Sequence, residues 1–321
     1  EDHTRVVLTT NATHALNLAV LGLGLQAGAR VVTSVAEHNS VLRPLHHLEQ
    51  RVGIDVVKIG LAADGGFDHE ALERALEPAP RLVALTHASN VTGRVFDVGP
   101  LFAAARKAGA VTLLDASQSL GHVPVNASEL QADLVAFTGH KALHGPPGTG
   151  GLFVAPHLDL AQYLVGGTGV RSDLPLHPGS MPMRLEAGTP NMPALAGLCT
   201  AVEWAYRRDE QTRTRAAQLG ARLADGLRRV PGAAVYAAAP QQPTTGTVSV
   251  VLRDWSVEDT GFALTESFGI QCRTGLHCAP LMHVAIGTAP DGTVRLSPSC
   301  FTTADEIDSA IAAIEQLAYS N

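Results

Sequence analysis

The stretch DLVAFTGHKALHGPPGTGG, Asp133 to Gly151, decides how the rest of the chain reads. Leu134 to Phe137 make a short unbroken apolar run, the pattern of a buried strand. The run stops at Thr138-Gly139-His140-Lys141, and a Gly/Pro-rich loop follows. A lysine just past the carboxyl end of a buried strand has two readings. One is a solvated lysine that closes the strand, since lysine is seldom buried without a partner. The other is a Schiff-base lysine, whose amine is kept partly neutral by desolvation so that it can attack an aldehyde. The flanking sequence chooses between them.

Working outward, strands alternate with helices. Residues 6–28 read as a strand, a turn and a helix, with Thr10, Asn11 and Thr13 as N-cap candidates. That helix N-terminus could also seat a phosphate. Gly22, Gly24 and Gly28 do not form a dinucleotide fingerprint, because they close the helix instead of opening it. Further strands are expected at 30–34, 55–61, 81–90 and in VTLLDASQS from Val111, with helices at 41–51, after Asp68 and from Pro100. This alternation predicts an α/β domain whose mainly parallel sheet is flanked by helices. After a strand at GLFVA (151–155) comes a Gly/Pro/Ser-rich region, 166–193. One long helical stretch, Ala194 to Arg229, is expected next, then a smaller α+β domain from Ala233. Its expected parts are strands at 248–252 and 271–273, a helix near 257–268, a loop carrying Cys278, a strand at 293–297 and a final helix from Thr303 to Leu317. The chain thus divides into a large domain, 1–200, and a linking helix with a small C-terminal domain, 201–321.

Composition narrows the function. The 321 residues carry a net charge of −7 with 17% charged side chains and no basic run, which argues against nucleic acid or anionic lipid as a partner. The longest apolar tract, Ala15 to Leu25, is too short to cross a bilayer and contains Asn17. Four cysteines without a CxxC pair indicate neither a disulfide framework nor a structural zinc site. A reducing cytoplasm is the default location, and any working cysteine is a free thiol. His277, Cys278 and His283 are of metal-binding type, but their spacing fits no zinc pattern.

His38, Asn90, Asp115, Gln118 and Lys141 all fall just after expected strands, on the edge where open α/β sheets bind ligands. Each alone could be a turn residue. Together they suit an aromatic aldehyde phosphate. Asp115 would keep a pyridine nitrogen protonated, and His38 would lie over the ring. Asn90 and Gln118 would bond the ring hydroxyl, and Lys141 would close the aldehyde as an imine. That set describes a pyridoxal 5'-phosphate site.

Seven motifs in this order, Thr13, EH at 37–38, HASNVTG at 87–93, LLDASQS at 113–119, TGHK at 138–141, LEAGTPN at 185–191 and CRTGLHCAP at 272–280, resemble the class V aminotransferases and, within them, the cysteine desulfurases. The resemblance covers essentially the whole chain and is nearest the branch with a short RxGxHCA cysteine loop. It implies that Lys141 is the Schiff-base lysine, Asp115 the pyridinium partner and His38 the stacking histidine, with Asn90 and Gln118 at the ring hydroxyl. It also implies that Thr13, Thr138 and His140 cup the phosphate and that Thr189 reaches the neighbouring subunit's phosphate in a homodimer. Arg295 would hold the substrate carboxylate, Arg273 would stand near the cysteine loop, and Cys278 would become a persulfide. The thiolate this requires would draw on positive charge from Arg273 or His277. Cys199 and Cys300 read as small buried hydrophobes, and Cys272 as structural.

The sequence departs from the branch at Leu276-His277, where relatives have two histidines, and it has no YLDNAAT-like motif ahead of its first strand. The resemblance implies conversion of L-cysteine to L-alanine, with transfer of the sulfur to an acceptor protein. A selenocysteine lyase or another C–S lyase using the same cofactor is the alternative, and a non-catalytic dimeric scaffold is a further one.

Overall fold

The computed structural model describes residues 2–320. Two compact units emerge. The first comprises the chain up to His87 and Asp97–Arg207; the second comprises Ala88–Phe96 and Arg208 onward. The expected division at 200/201 falls inside a helix, Met192–Arg207. Ala88–Phe96 joins the second unit through its hydrogen bonds: the Thr245 amide donates to Gly93, the Ala238 amide to Thr92, and the Ser249 hydroxyl to Val91.

In the first unit, seven strands among the described residues form one sheet in the order β1-β7-β6-β5-β4-β2-β3. They are β1 (Val6–Thr9), β2 (Arg30–Ser34), β3 (Asp55–Ile59), β4 (Leu82–Thr86), β5 (Val111–Asp115), β6 (Leu134–Thr138) and β7 (Gly150–Val154). The run β3-β2-β4-β5-β6 is parallel, and β7 and β1 close one edge antiparallel. The sheet is thus mainly parallel, with helices α1 (Ala12–Gly22), α2 (Asn39–Val52), α3 (His69–Ala75), α4 (Gly99–Lys107) and α5 (Met192–Arg207). Central strands are fully buried, so they read as continuous apolar runs instead of alternating ones. Helix starts follow local chemistry: Asn11 accepts from the His14 amide, and Asp68 from the Ala71 amide. The core gathers Leu16, Leu45, Leu82, Leu113, Leu134 and Leu152, each at most 1% exposed.

The second unit packs α6 (Glu210–Leu227), α7 (Val257–Phe268), α8 (Pro280–Ala285) and α9 (Ala304–Ala318) with a three-stranded antiparallel sheet, β10-β9-β8. Its strands are β8 (Ala233–Tyr236), β9 (Val248–Leu252) and β10 (Val294–Leu296).

Four local expectations change. The long helical stretch is two helices, because the Asp209 side chain accepts the Thr212 amide and caps a new helix there. Residues 271–273 form only an isolated bridge at Arg273. The Ala-rich β8 supplies the sheet's third strand instead. Cys199 is exposed, since α5 buries only Ala194 and Leu198 in this chain, four residues apart on one face. Cys300 and Cys272 are half-buried. No helix among the described residues is long and apolar enough to cross a membrane.

Leu134 on β6 is fully buried in the first unit's core. Leu134→Ala is expected to lower stability by about 3 kcal/mol in urea denaturation, from lost transfer energy plus a cavity. A loss below about 1 kcal/mol would contradict that packing.

Candidate active site

Within the first unit the parallel strands end together. Thr86 pairs in register with Asp115, and Asp115 with Ala136, two residues before β6 ends at Thr138. This alignment brings His38, Asp115, Gln118 and Thr138 to Lys141 to one edge of the sheet.

Asp115 is 4% exposed. Its Oδ1 accepts the Ser117 amide (2.9 Å) and the Ser117 hydroxyl. Among the described residues nothing donates to Oδ2, and no basic group pairs with the carboxylate. A buried carboxylate with one open oxygen calls for a cationic donor from outside the chain.

His38 is the N-cap of α2, and its Nδ1 accepts the Ser40 amide at 3.0 Å. That bond fixes the neutral tautomer with the proton on Nε2. The Ser40 hydroxyl lies 2.8 Å from His38 Nδ1 and 2.7 Å from the Thr13 hydroxyl, so one serine orients both. Thr13 itself is exposed on the first turn of α1, where Asn11 already caps His14 and the Ala12 and Thr13 amides take no acceptor among the described residues. Two free amides at a helix start suit a phosphate.

The turn after β6 depends on Gly139. A Cβ there would sit 2.2 Å from the Thr149 hydroxyl and 2.8 Å from Leu198. The Thr138 hydroxyl lies 2.9 Å from His140 Nδ1. Burial and the neighbouring Lys141 charge push the His140 pKa down. Gln118 is half-buried. Thr189 is exposed and lines a cleft with Thr10, His14, Leu164 and Glu186. Pyridoxal phosphate fits this donor set: an open buried acid for a ring nitrogen, a fixed imidazole, a lysine and free helix-start amides.

The second unit collects Asn90, Arg273, Cys278 and Arg295. Arg273 and Arg295 are joined by backbone bonds in both directions, at 3.1 and 2.7 Å. The Gly275 and Thr293 amides repeat the pattern one step on, each to the other's carbonyl. Gly292 permits this, because a Cβ there would lie 2.1 Å from the Gly275 carbonyl oxygen. The chain then turns through left-handed conformations at Gly275 (φ 92°), His277 (φ 50°) and Cys278 (φ 58°). Such φ values cost roughly 1 kcal/mol or more per non-glycine residue, a strain typical of functional loops.

Three bonds hold the loop. The Asn90 amide donates to the His277 carbonyl at 2.6 Å, the Ala279 amide to the Leu276 carbonyl, and His277 Nε2 lies 2.9 Å from the Thr293 hydroxyl. Arg273 Nη2 then stands 3.8 Å from Cys278 Sγ. Arg295 Nη1 donates to the Asn90 carbonyl at 2.9 Å, while its buried Nε has no partner. Burial, then the Arg273 charge, hold the Arg295 pKa below its usual value, although guanidinium stays charged. No carboxylate among the described residues pairs with either arginine. Two adjacent, unpaired guanidiniums make a site for an anion.

His277 does not lend charge to the cysteine. Burial first, then Arg295, His283 and Arg273, push its pKa down to about 3. The cationic neighbour of Cys278 is therefore Arg273 alone of the two expected. No group of three or more His, Cys, Asp or Glu among the described residues is placed to hold a metal. Sequence reasoning did not single out Ser40, Ser117 or Thr293, and it weighed His283 only as a metal ligand. Only the Asp-Ala-Ser spacing, a frequent side-chain turn, hinted at Ser117.

Because His277 is neutral when folded and titrates at its ordinary 6.5 when unfolded, unfolding takes up a proton as pH falls below about 6.5. Stability is therefore lost from pH 6.5 downward, progressively toward pH 3. His277→Gln is expected to lose less of its urea midpoint between pH 7 and 5 than the wild type does. An equal loss in both proteins would contradict the burial assigned to His277.

The class-V aminotransferase family model matches residues 1–309. A probable cysteine desulfurase of Mycobacterium leprae is 32% identical over 324 residues, covering 96% of this chain and 76% of that protein. The cysteine desulfurase CsdA of Escherichia coli is 31% identical, covering 98% of this chain and 79% of that protein. Among solved structures, the apo cysteine desulfurase of Thermococcus onnurineus superposes with a TM-score of 0.92 at 30% identity, over 100% of this chain and 80% of that one. The crystal structure of Escherichia coli CsdA gives 0.90 at 30%, over 98% and 79%. With its strand-end residues and its cysteine loop both accounted for, the chain belongs to the class-V aminotransferase family, among the cysteine desulfurases.

Proposed function

We propose that this chain is a pyridoxal 5'-phosphate-dependent cysteine desulfurase that moves the sulfur of L-cysteine onto Cys278 and releases L-alanine. The observation that carries the reading is the second unit's cluster: a cysteine on a left-handed turn, 3.8 Å from one guanidinium, beside a second guanidinium with a buried free edge. An amino-acid carboxylate suits the Arg295 guanidinium, whose Nε is left without a partner. Arg273 stands where it can hydrogen-bond Cys278 as a thiolate.

In the first unit, the open oxygen of Asp115 would accept a hydrogen bond from the cofactor's ring N–H and so keep that nitrogen protonated. His38, fixed by Ser40, would lie over the ring, and Gln118 would take the ring hydroxyl. Thr13, Thr138, His140 and the first amides of α1 would take the phosphate. When bound, pyridoxal phosphate supplies a carbonyl for the substrate amine and a ring that stores an electron pair. Lys141 is the tether and the base that moves the α-proton. Cys278 Sγ attacks the substrate sulfur: a sulfur–sulfur bond forms and the carbon–sulfur bond breaks. Its electron pair stays on carbon, which takes up a proton on the way to alanine. Cys278 is left as a persulfide for an acceptor protein.

We further propose a homodimer in which Thr189 serves the neighbouring cofactor's phosphate. Large apolar side chains are exposed between 163 and 206, including Val165 (69%), Leu176 (77%), Met192 (62%) and Tyr206 (88%), more than an isolated surface needs. Four free cysteines suit a reducing compartment, and we place the enzyme in the cytoplasm.

Cys278→Ala is expected to keep the cofactor's yellow absorbance and to lower alanine release from L-cysteine by about 100-fold or more, the scale of losing a nucleophile. Lys141→Ala should lose both absorbance and turnover. Undiminished alanine release by Cys278→Ala would refute persulfide formation. Its retention with selenocysteine alone would assign the chain to selenocysteine cleavage.

A further inference from the structure

Glu37 precedes His38 in the turn between β2 and α2 and is fully buried. Its Oε1 accepts two bonds, from the Ser34 hydroxyl at 2.6 Å and the Thr86 amide at 2.9 Å. Ser34 ends β2 and Thr86 ends β4. The ladder between these neighbouring strands pairs Val31 with Leu82 and Val32 with Val83. One carboxyl oxygen therefore joins the two strand ends beyond their own hydrogen bonds. The other oxygen, Oε2, has neither solvent nor a partner.

The surroundings of Glu37 are short of positive charge. From β2 comes the Ser34 hydroxyl, and from β4 the Thr86 amide. His87, just beyond, is itself buried, and that burial pushes its pKa down to about 4, so it is neutral. At the start of α2, His38 Nδ1 accepts the Ser40 amide and so carries no proton on that nitrogen. From β5 comes Asp115, the register partner of Thr86 and a second acid. An ionised Glu37 would combine full desolvation, a like charge and an unsatisfied oxygen. Protonated, it keeps both bonds on Oε1 and avoids all but the lone O–H.

We infer that Glu37 is a proton-carrying positioning residue: as a neutral acid it ties the ends of β2 and β4, holding His38 and Asp115 in place for the cofactor, and loss of its proton releases that arrangement. The inference rests on the proposed role of this sheet edge as the pyridoxal phosphate site. A residue that merely braced the turn would act the same whatever its charge. Burial, with Asp115 adding to the effect and the Ser34 and Thr86 bonds opposing it, pushes the Glu37 pKa up to about 8. Proton loss thus falls in an accessible range.

The test compares the full-length wild type with Glu37→Gln, both stripped of cofactor, by equilibrium dialysis against pyridoxal phosphate at pH 7 and pH 9. Binding that needs the protonated acid weakens by the fall in the protonated fraction, about ten-fold over this interval for a group titrating near 8. The wild-type dissociation constant should therefore rise about ten-fold more than that of Glu37→Gln, which cannot lose a proton. An equal rise in both proteins overturns the inference.

Infrared difference spectra of the cofactor-free wild type, labelled with 13C-glutamate, give an independent reading should the variant not fold. A buried carboxylic-acid carbonyl band lost between pH 7 and 9 supports the inference, and its absence at pH 7 overturns it. If neither protein binds pyridoxal phosphate at pH 7, the cofactor assignment fails, and the infrared titration still decides the protonation state of Glu37.

Discussion

A carboxylate buried at the end of a central strand, with no cation of its own, governs the chemistry of the sheet edge. Removing a charge from water costs several kcal/mol unless something compensates it. For Asp115 the chain offers two donors from Ser117, both on one oxygen, and leaves the other open. On the proposed reading, the missing partner is the protonated heterocycle of the cofactor. Neighbouring features follow from the same constraint. Glu37, near by and equally buried, is best accommodated without charge. His38 is fixed by Ser40 as a neutral ring, and the first amides of α1 take no acceptor among the described residues.

The second unit poses the opposite electrostatic problem. There the excess is cationic: backbone bonds hold Arg273 and Arg295 side by side, and no acidic side chain among the described residues answers them. Backbone pairing, left-handed turns and the Asn90 bond to the His277 carbonyl together set where Cys278 stands. The buried His277 and His283 rings, 5.4 Å apart, act as neutral supports under that loop, with Thr293 and Thr288 as their partners.

Much of this was legible in the amino-acid sequence, for physical reasons. The strand at 134–138 is visible because a parallel strand buried on both faces reads as an apolar run, here Leu134 to Phe137. Residues placed just after such strands fall on one edge because parallel strands end together. What stayed hidden depends on tertiary choices. The Asp209 cap lies in a polar stretch where an amphipathic helix and a break look alike. The pairing of Arg273 with Arg295 needs only one bridge on each side, too short for a strand pattern, and β8 is too rich in alanine to announce itself. Cys199 sits among apolar residues yet faces outward, because α5 buries only a narrow stripe within one chain. The helpers Ser40, Ser117 and Thr293 escape notice because a hydroxyl's role depends on the turn it sits in. The charge of His277 could not be read from residue type, since it depends on burial that only the fold supplies.

The most direct test of the desulfurase assignment is the mass of the Cys278 peptide after the holoenzyme meets L-cysteine briefly and without oxygen. That peptide should gain one sulfur atom, lose it on treatment with a thiol reductant, and match alanine formed in equal amount during the first turnover. Alanine formed while the Cys278 peptide stays at its unmodified mass would contradict the assignment.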